Sequence, residues 1–261
     1  MNTTVFGEFF CLHKKFLVFN LVSRNLKTRY HRSMLGILWT LITPLSMALM
    51  YYFIFSFVFK VRTPHYLVYV LSGILPWTFF SQTLLDGMES LVGSASMVTK
   101  ASIPIQVFSF SAALTAMVNL AASLPIIFAF AWANGLTPDL GWLWMIFFSL
   151  ALLMLGYFIS LILSVGFVFF RDLRHIMGII MQIWIYSTPI LYEPSMIPER
   201  FHWIIYANPV SPFFVAMRSF LIDRTYPSTE VSIAAAAWFF FFFATSLIFQ
   251  RTCSRGLVEH L

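Results

Sequence analysis

Six long apolar segments dominate this chain and limit what it can fold into. They cover residues 34–59, 66–85, 103–133, 141–170, 176–192 and 231–249. At about 1.5 Å of helix per residue, each approaches or exceeds the ~30 Å of hydrocarbon in a bilayer. Only 10% of the 261 residues are charged, whereas soluble domains carry about 25%. The sequence therefore predicts an all-α integral membrane protein with six transmembrane helices.

The N-terminal region also contains many apolar residues, but it has too many charged residues to be a membrane span. Its apolar residues recur at helical spacing, and they are Leu12, Phe16, Phe19, Val22 and Leu26. This pattern predicts an amphipathic helix that lies along the membrane surface. Lys15 interrupts the apolar stripe, while Leu17 and Leu21 lie off it. A cytosolic helix packed on the bundle is the alternative.

A second apolar region, residues 201–222, is interrupted by Asn208-Pro209 and by Pro212. A single span through this region would also place Arg218 inside the membrane. Broken backbone at membrane depth is tolerated only where it is buried in protein or lines water. We therefore expect short re-entrant helices between spans five and six rather than a seventh span.

Most of the sixteen Lys and Arg lie on one side of the predicted membrane if the N-terminus is cytosolic. This bias favours that orientation, and an even number of spans places both termini in the cytoplasm. The predicted domains are a cytosolic N-terminus with the amphipathic helix (1–33) and a six-helix transmembrane domain (34–261). The latter includes a re-entrant exit region at about 193–224 and a short cytosolic C-terminus at 250–261. Basic residues ahead of a span indicate contact with lipid rather than nucleic acid.

No motif predicts catalysis by this chain. None of the eleven glycines is followed by lysine, so the phosphate-binding loop of an ATPase is absent. No Cys and His residues have zinc-ligand spacing, and no serine has the surroundings of a hydrolase nucleophile. We predict no catalytic residue, no metal site and no bound cofactor. Asp86 and Glu89, at the end of the second segment, are expected to cap a helix at the membrane surface.

Three groups of residues are candidates for function. The charged sequence from Arg171 through Asp172 to Arg174 is expected to be ordinary charge at the end of a span. The alternatives are that these arginines pair with Asp172 or bind lipid phosphates. The loop over residues 90–106 is either a plain connector or a short helix that presents apolar side chains to a partner. Aromatic residues within spans either line a conduit or face lipid and core.

The run over residues 29–44, RYHRSMLGILWTLITP, resembles the R-[YF]-x-x-[ST]-x-L-G-x-[LF]-W-x-x-x-x-P opening of the membrane subunits of type-2 ABC exporters. The branch that it resembles exports O-antigen, capsular polysaccharide and teichoic acid. Three later motifs follow in the same order: FRDL at 170–173, STPILY at 187–192, and Asn208-Pro209 followed by Arg218.

The resemblance implies the type-2 ABC exporter fold in the bacterial inner membrane. It implies a homodimer with two copies of a separate ATPase subunit, which holds the ATP and Mg²⁺. The implied substrate is an undecaprenyl-diphosphate-linked polysaccharide, most directly O-antigen, which passes between the two membrane subunits along their first and fifth spans.

Carried onto this chain, the resemblance and the aromatic pattern suggest three sets of site residues. The substrate path includes Arg29 and Arg32, which would meet the diphosphate, and Trp39, Tyr51, Tyr52, Trp184, Tyr186 and Tyr192. The elements that dock the ATPase include Phe16, Phe19, Met97, Val98, Lys100 and Pro104. The hinge and exit region includes Arg171, Asp172, Arg174, Asn208, Pro209 and Arg218.

Other functions stay open at this point. An ion-coupled carrier or a channel would work without an ATPase. An ABC exporter of another lipid or of a drug would share the fold. A membrane enzyme acting on a glycolipid is a further alternative, against which the missing catalytic motifs count.

Overall fold

The computed structural model describes residues 12–30, 33–60, 63–100 and 103–253. Within these residues the chain is helical, and we number its α-helices in chain order. They are α1 Leu12–Tyr30, α2 Trp39–Phe53, α3 Tyr66–Glu89, α4 Ala95–Lys100, α5 Gln106–Ala133, α6 Gly141–Phe169, α7 Leu173–Ser187, α8 Trp203–Ala207, α9 Ser211–Leu221 and α10 Thr229–Cys253. A wider π-helical turn, Ile54–Val58, continues α2.

Five helical stretches in the described residues are long and apolar enough to cross a membrane: Trp39–Val58, Tyr66–Glu89, Gln106–Ala133, Gly141–Phe169 and Thr229–Gln250. They correspond to predicted spans one, two, three, four and six.

The predicted fifth span differs from its expected bounds of 176–192. Helix α7 has 15 residues and ends at Ser187, so its length is about 22 Å, short of the ~30 Å of hydrocarbon. It ends there because Pro189 disfavours helical backbone at the preceding residue. Thr188 accordingly has extended angles, with φ −104° and ψ 137°.

Helix α3 forms the centre of the bundle. Its side chains Phe79, Phe80 and Leu84 are fully buried in one core with residues of α5, α6, α7 and α9. Gly87 lets α3 approach α6 closely, because a Cβ atom there would lie 2.5 Å from the Ser160 hydroxyl oxygen. By contrast α2 and α7 are peripheral and bury little of their surface.

Helix α1 packs on the bundle through residues outside the predicted stripe. Leu21 is buried in a cluster with Val98 and Phe108, whereas Phe16 and Phe19 are exposed. One face of α1 therefore packs on protein, and the predicted apolar stripe leaves two phenylalanines uncovered. The packing of α1 on the bundle, as in the alternative, is thus observed, and the contact of α1 with the membrane surface stays a prediction.

The region 201–222 contains two short helices, α8 and α9, as predicted. They are separated at residues 208–210. Phe213, Phe214 and Met217 of α9 are fully buried against the rest of the core. We call this end of the bundle the α9 end, and the opposite end, where α1 packs beside α4, the α1 end.

Candidate functional site

Arg218 anchors the irregular segment that follows α7. Its side chain is 4% exposed, and its guanidinium donates to the carbonyl oxygens of Pro189, Ile190 (2.7 Å) and Tyr69 (3.1 Å). The guanidinium carbon also lies 3.5 Å from the centroid of the Tyr69 ring. Desolvation of a guanidinium is costly, and these three acceptors with the aromatic face offset that cost. Arg218 thus joins α9 to α3 and to the segment after α7.

Two tyrosines of α3 complete this arrangement, which we call the outer clamp. The Tyr66 hydroxyl donates to the backbone carbonyl of Leu191 at 2.7 Å. The Tyr69 hydroxyl donates to the backbone carbonyl of Tyr192 at 2.6 Å. A Cβ atom on Gly73 would lie 2.5 Å from an Arg218 nitrogen and 2.9 Å from a side-chain carbon of Ile190, so a larger residue at position 73 would displace Arg218 or Ile190.

Asn208 fixes the same segment from the break between α8 and α9. Its amide nitrogen donates to the Ser187 carbonyl at 3.2 Å and to the Thr188 hydroxyl at 3.0 Å. Its amide oxygen accepts from the Trp184 indole and from the Val210 backbone N–H, both at 3.0 Å. The motifs STPILY and Asn208-Pro209 are therefore parts of one hydrogen-bonded unit with Arg218. Pro209 lies in the break, between the hydrogen-bonded residues 208 and 210.

The aromatic residues predicted to line a path fall into separate groups. The hydroxyls of Tyr51 on α2 and Tyr186 on α7 lie 3.3 Å apart, and the Tyr192 hydroxyl donates to the Tyr186 carbonyl at 3.1 Å. The three tyrosines form a hydroxyl-bearing patch where α2 meets α7.

The other predicted path aromatics are placed differently. Tyr52 stacks on Tyr66, with ring centroids 6.3 Å apart, and Trp184 packs edge-on against Trp77 and Phe80. Trp184 therefore belongs to the core side of α7. Trp39 is exposed at the first turn of α2, about 18 Å along the helix from Tyr51.

Exposed apolar side chains extend this patch along α7. Ile176, Ile179, Ile180 and Ile183 are all exposed and recur at helical spacing, so they occupy one face of the helix. Together with the outer face of α2 they form a large uncovered apolar surface, which we call the α2–α7 face. Surfaces of this kind contact lipid or a partner protein.

Charged pairs join three helices at the α1 end. Arg29 of α1 forms an ion pair with Asp86 of α3, and Arg174 of α7 pairs with Glu89 of α3 at 3.1 Å. The alternative in which Arg174 pairs with Asp172 is not observed, because α3 presents Glu89 to the first turn of α7. Asp86 and Glu89 do lie at the end of a helix, as expected, but each also binds a second helix.

Arg171 and Arg32 complete the account of the predicted basic residues. The Arg171 guanidinium lies 5.4 Å from the centroid of the Phe167 ring. Arg32 lies outside the described residues, so its predicted contact with a diphosphate stays a prediction.

The loop over residues 90–106 contains the short helix α4, preceded by a 3₁₀ turn, Val92–Ser94. Met97 is 36% exposed, but Val98 is 6% exposed and packs on Leu21 of α1. The prediction that Val98 faces a partner is therefore wrong, since an apolar side chain beside α1 is better buried. Arg24 of α1 donates to the Ser94 hydroxyl at 3.4 Å, so α1 and α4 form one surface.

The last two predicted coupling residues flank the end of this loop. Lys100 is the last residue of α4, and its side chain lies outside the described residues. Pro104 is half-buried just before α5. Their proposed contact with an ATPase stays a prediction.

Sequence reasoning missed Tyr66, Tyr69 and Gly73, which build the outer clamp. Their spacing on α3 was the available signal, because residues three and four apart share one helical face. It could not reveal that their partners are carbonyl groups more than a hundred residues later in the chain.

A family model described as ABC-2 type transporter matches residues 17–222. The chain belongs to the ABC-2 type transporter family. The match extends in the ABC-2 chain from residue 17, within α1, through α9, and so includes the outer clamp, both charged pairs and α4.

Three curated relatives share the name O-antigen export system permease protein RfbA. One from Klebsiella pneumoniae is 33% identical over 214 residues, which are 82% of this chain and 83% of the relative. A second from the same organism is 32% identical over the same coverage. One from Myxococcus xanthus is 30% identical over 239 residues, which are 90% of this ABC-2 chain and 91% of the relative.

Proposed function

We propose that this chain is the transmembrane subunit of an ABC exporter that carries O-antigen across the bacterial inner membrane. The substrate is attached to undecaprenyl diphosphate, and a separate ATPase supplies the energy. The membrane subunit itself makes and breaks no bond and needs no cofactor. The names of the three relatives and the family membership support this proposal.

The observation that carries the proposal is the α2–α7 face with its tyrosine hydroxyls. Tyr186 is exposed, and its hydroxyl and that of Tyr51 lie beside apolar side chains. Exposed phenol groups hydrogen-bond to sugars or water while their rings pack on apolar sugar faces. In the proposed homodimer, the α2–α7 faces of two copies enclose the polysaccharide path.

We propose six spans, with α7 and the segment over residues 188–192 together forming the fifth. Irregular backbone at membrane depth must have its polar groups satisfied by protein. The carbonyls of Pro189, Ile190, Leu191 and Tyr192 all accept hydrogen bonds from the outer clamp. This supports a segment, with the short helices α8 and α9, that enters the membrane from the α9 end. The α1 end and both termini are then cytoplasmic.

The α1 end supplies the proposed contacts with the ATPase and with the diphosphate. Phe16 and Phe19 of α1 and Met97 of α4 are exposed, and they are the proposed contacts with the ATPase. Arg29 is held by Asp86 until the diphosphate replaces that carboxylate. Arginine suits this role because its guanidinium binds phosphate oxygens bidentately.

Affinity purification of the chain from its native membrane tests the exporter class. We expect an ATPase subunit to co-purify, with ATP hydrolysis that depends on this chain. Flux in vesicles that contain this chain alone would instead identify a carrier or a channel. Export that persists in the Arg29→Gln, Arg32→Gln double variant at normal protein level would rule out the diphosphate contact.

Cysteine cross-linking tests the proposed dimer. Ile183 on the α2–α7 face is 61% exposed and Ile233 on α10 is 63% exposed, so the two positions are matched in accessibility. We expect Ile183→Cys to form a disulfide between copies in native membranes and Ile233→Cys to stay monomeric. Equal cross-linking at the two positions would contradict the assignment of the interface.

A further inference from the structure

No charged residue lies on the α2–α7 face between its two ends. Residues 39–58, which form α2 and its π-helical turn, contain no Asp, Glu, Lys, Arg or His, and residues 176–192 contain none either. The first stretch has 20 residues, or about 30 Å of helix, which is the full hydrocarbon thickness of a bilayer. A substrate between two such faces therefore meets no fixed charge while it crosses the hydrocarbon.

The same face carries uncharged hydrogen-bonding groups. Gln182 and Tyr186 are both exposed, and they lie one turn apart on α7, so they share a side of that helix. The Tyr51 hydroxyl lies 3.3 Å from that of Tyr186. A polar side chain is costly in hydrocarbon and usually faces a protein interior or water. These groups therefore favour contact with a hydrated substrate over contact with lipid alone.

Charged residues flank this face at its two ends. At the α1 end, Arg29 and Arg174 are each paired with a carboxylate of α3. At the α9 end, Lys60 lies just beyond the first uncharged stretch and Glu193 follows the second, so both signs of charge are present there. These pairs differ from the rings of Arg or Lys that line anion-selective pores.

These walls accommodate an anionic repeat poorly. A carboxylate or phosphate between them would lose hydration, and no cationic side chain of either wall would offset that loss. The diphosphate is a single anionic group in each polymer, whereas a charged repeat would keep several anions beside the walls throughout export. An uncharged sugar avoids this cost, because its hydroxyls can bond to the Gln182 amide and to the phenols while its apolar face packs on the tyrosine rings.

We propose that the polysaccharide exported along the α2–α7 face has an uncharged repeat, built from neutral hexoses, deoxyhexoses or N-acetylated hexosamines. The inference rests on the proposed export function and names the class of substrate within it. It excludes repeats that contain uronic acids, other acidic sugars or phosphate, and therefore excludes teichoic acid, whose repeat contains phosphate.

The composition of the exported glycan is the first test. Surface polysaccharide is compared between the parent strain and a strain that lacks this chain, and the glycan that the deletion removes is examined by sugar analysis and NMR. We expect the full-length chain to restore this glycan and its repeat to contain no acidic sugar and no phosphate. An acidic repeat would overturn the inference and leave the export function in place. A deletion that removes no glycan would refute the export function itself, and the inference with it.

Transport into inverted membrane vesicles is the second test. The vesicles contain the full-length chain with its ATPase, and the substrate is the native lipid-linked glycan, either unmodified or with its primary hydroxyls oxidised to carboxylates. We expect ATP-dependent uptake of the carboxylated glycan to be about tenfold slower, the effect of about 1.4 kcal/mol. The methyl ester of the carboxylated glycan has nearly the same size but no charge, and it should be taken up as fast as the unmodified glycan.

Gln182→Lys adds a cation to the face and should raise uptake of the carboxylated glycan several-fold, because opposite charges attract strongly away from bulk water. Asn134→Lys is the matched control, since it also replaces an exposed amide by lysine, but at the residue that follows α5, on a helix outside the face. It should leave uptake unchanged. Equal uptake of the carboxylated and unmodified glycans, or an equal gain from both lysines, would overturn the proposal. If Gln182→Lys does not fold, the comparison of the carboxylated glycan with its methyl ester decides the outcome.

Discussion

Replacing Arg218 by alanine removes the donor that holds three buried carbonyl groups of the outer clamp. The carbonyl of Ile190 loses its partner, and an orphaned buried acceptor costs about 1–3 kcal/mol. The carbonyls of Tyr69 and Pro189 keep a hydrogen bond from the Ser72 and Tyr69 hydroxyls, but each loses its bond from the guanidinium, which contributes about 1 kcal/mol. Water can enter the space that the side chain leaves, so we take the lower value, about 1 kcal/mol, for the orphaned carbonyl. The expected loss is about 3 kcal/mol, which corresponds to a decrease of roughly 6–12 °C in the unfolding midpoint of a chain of this size.

The assay is size-exclusion chromatography after heating, performed on the purified full-length protein in detergent. Arg200→Ala is the control, because Arg200 is exposed and its guanidinium lies 4.7 Å from the centroid of the Phe201 ring. An exposed contact of this kind contributes about 0.5–1 kcal/mol. The unfolding midpoint of Arg218→Lys should lie between those of Arg218→Ala and Arg200→Ala, because a lysine keeps the charge but loses the planar fork of donors. Equal midpoints for Arg218→Ala and Arg200→Ala would refute the clamp.

Three further predictions concern α3, the break after α8, and the α1 end. Gly87→Ala should destabilise the chain by about 1–3 kcal/mol, because the added Cβ meets the Ser160 hydroxyl on α6; thermal unfolding in detergent measures it. Asn208→Ala should lower the free energy of unfolding by about 2 kcal/mol through loss of its four hydrogen bonds. In hydrogen exchange, the amides of the segment after α7 should show the largest increase in exchange rate. Met97→Cys should react with a membrane-impermeant maleimide faster than Val98→Cys, and only Met97→Cys should become protected when the ATPase binds.

Each of these predictions has a control within the chain. Gly93→Ala should be nearly neutral, because no atom lies within 4 Å of the added Cβ. Asn134→Ala removes one exposed hydrogen bond, to the carbonyl of Phe130, and should cost less than 1 kcal/mol. Equal losses of stability in Gly87→Ala and Gly93→Ala would contradict the close packing of α3 on α6. Equal losses in Asn208→Ala and Asn134→Ala would contradict the hydrogen bonds of Asn208. Labelling of Val98→Cys as fast as Met97→Cys would contradict the packing of α4 on α1.

Long-range pairing is what the sequence could not predict. Apolar length alone located the five helical stretches that are long enough to cross a membrane, and the prolines near residues 208–212 correctly indicated two short helices. The partners of Arg218 are backbone carbonyls, and one of them belongs to a residue 149 positions earlier. Every residue has a carbonyl, so no side-chain pattern identifies which ones a buried arginine will bind. Glu89, the partner of Arg174, is likewise distant in the chain.

The errors of sequence reasoning have local physical causes. Hydropathy treats residues 176–192 as one apolar run, but Pro189 ends α7 through backbone sterics that hydropathy does not record. The apolar composition of the loop over residues 90–106 predicts an exposed position for Val98, but composition does not show which neighbour covers it. In the structure Leu21, which lies off the apolar stripe of α1, provides the contact that buries Val98. The packed face of a short helix depends on its neighbour as well as on its own periodicity.

The shortness of α7 also affects the bilayer around it. A helix of 15 residues falls about 8 Å short of the hydrocarbon thickness, and each ångström of such hydrophobic mismatch costs a fraction of a kcal/mol. Residues 188–191, which belong to the proposed fifth span, are buried in protein, so only α7 would meet lipid in a single copy. The membrane beside α7 would then become thinner. A second copy that covers α7 removes this deformation, so membrane thickness itself becomes a force that favours pairing. Thicker bilayers should strengthen the association of two copies, and thinner bilayers should weaken it.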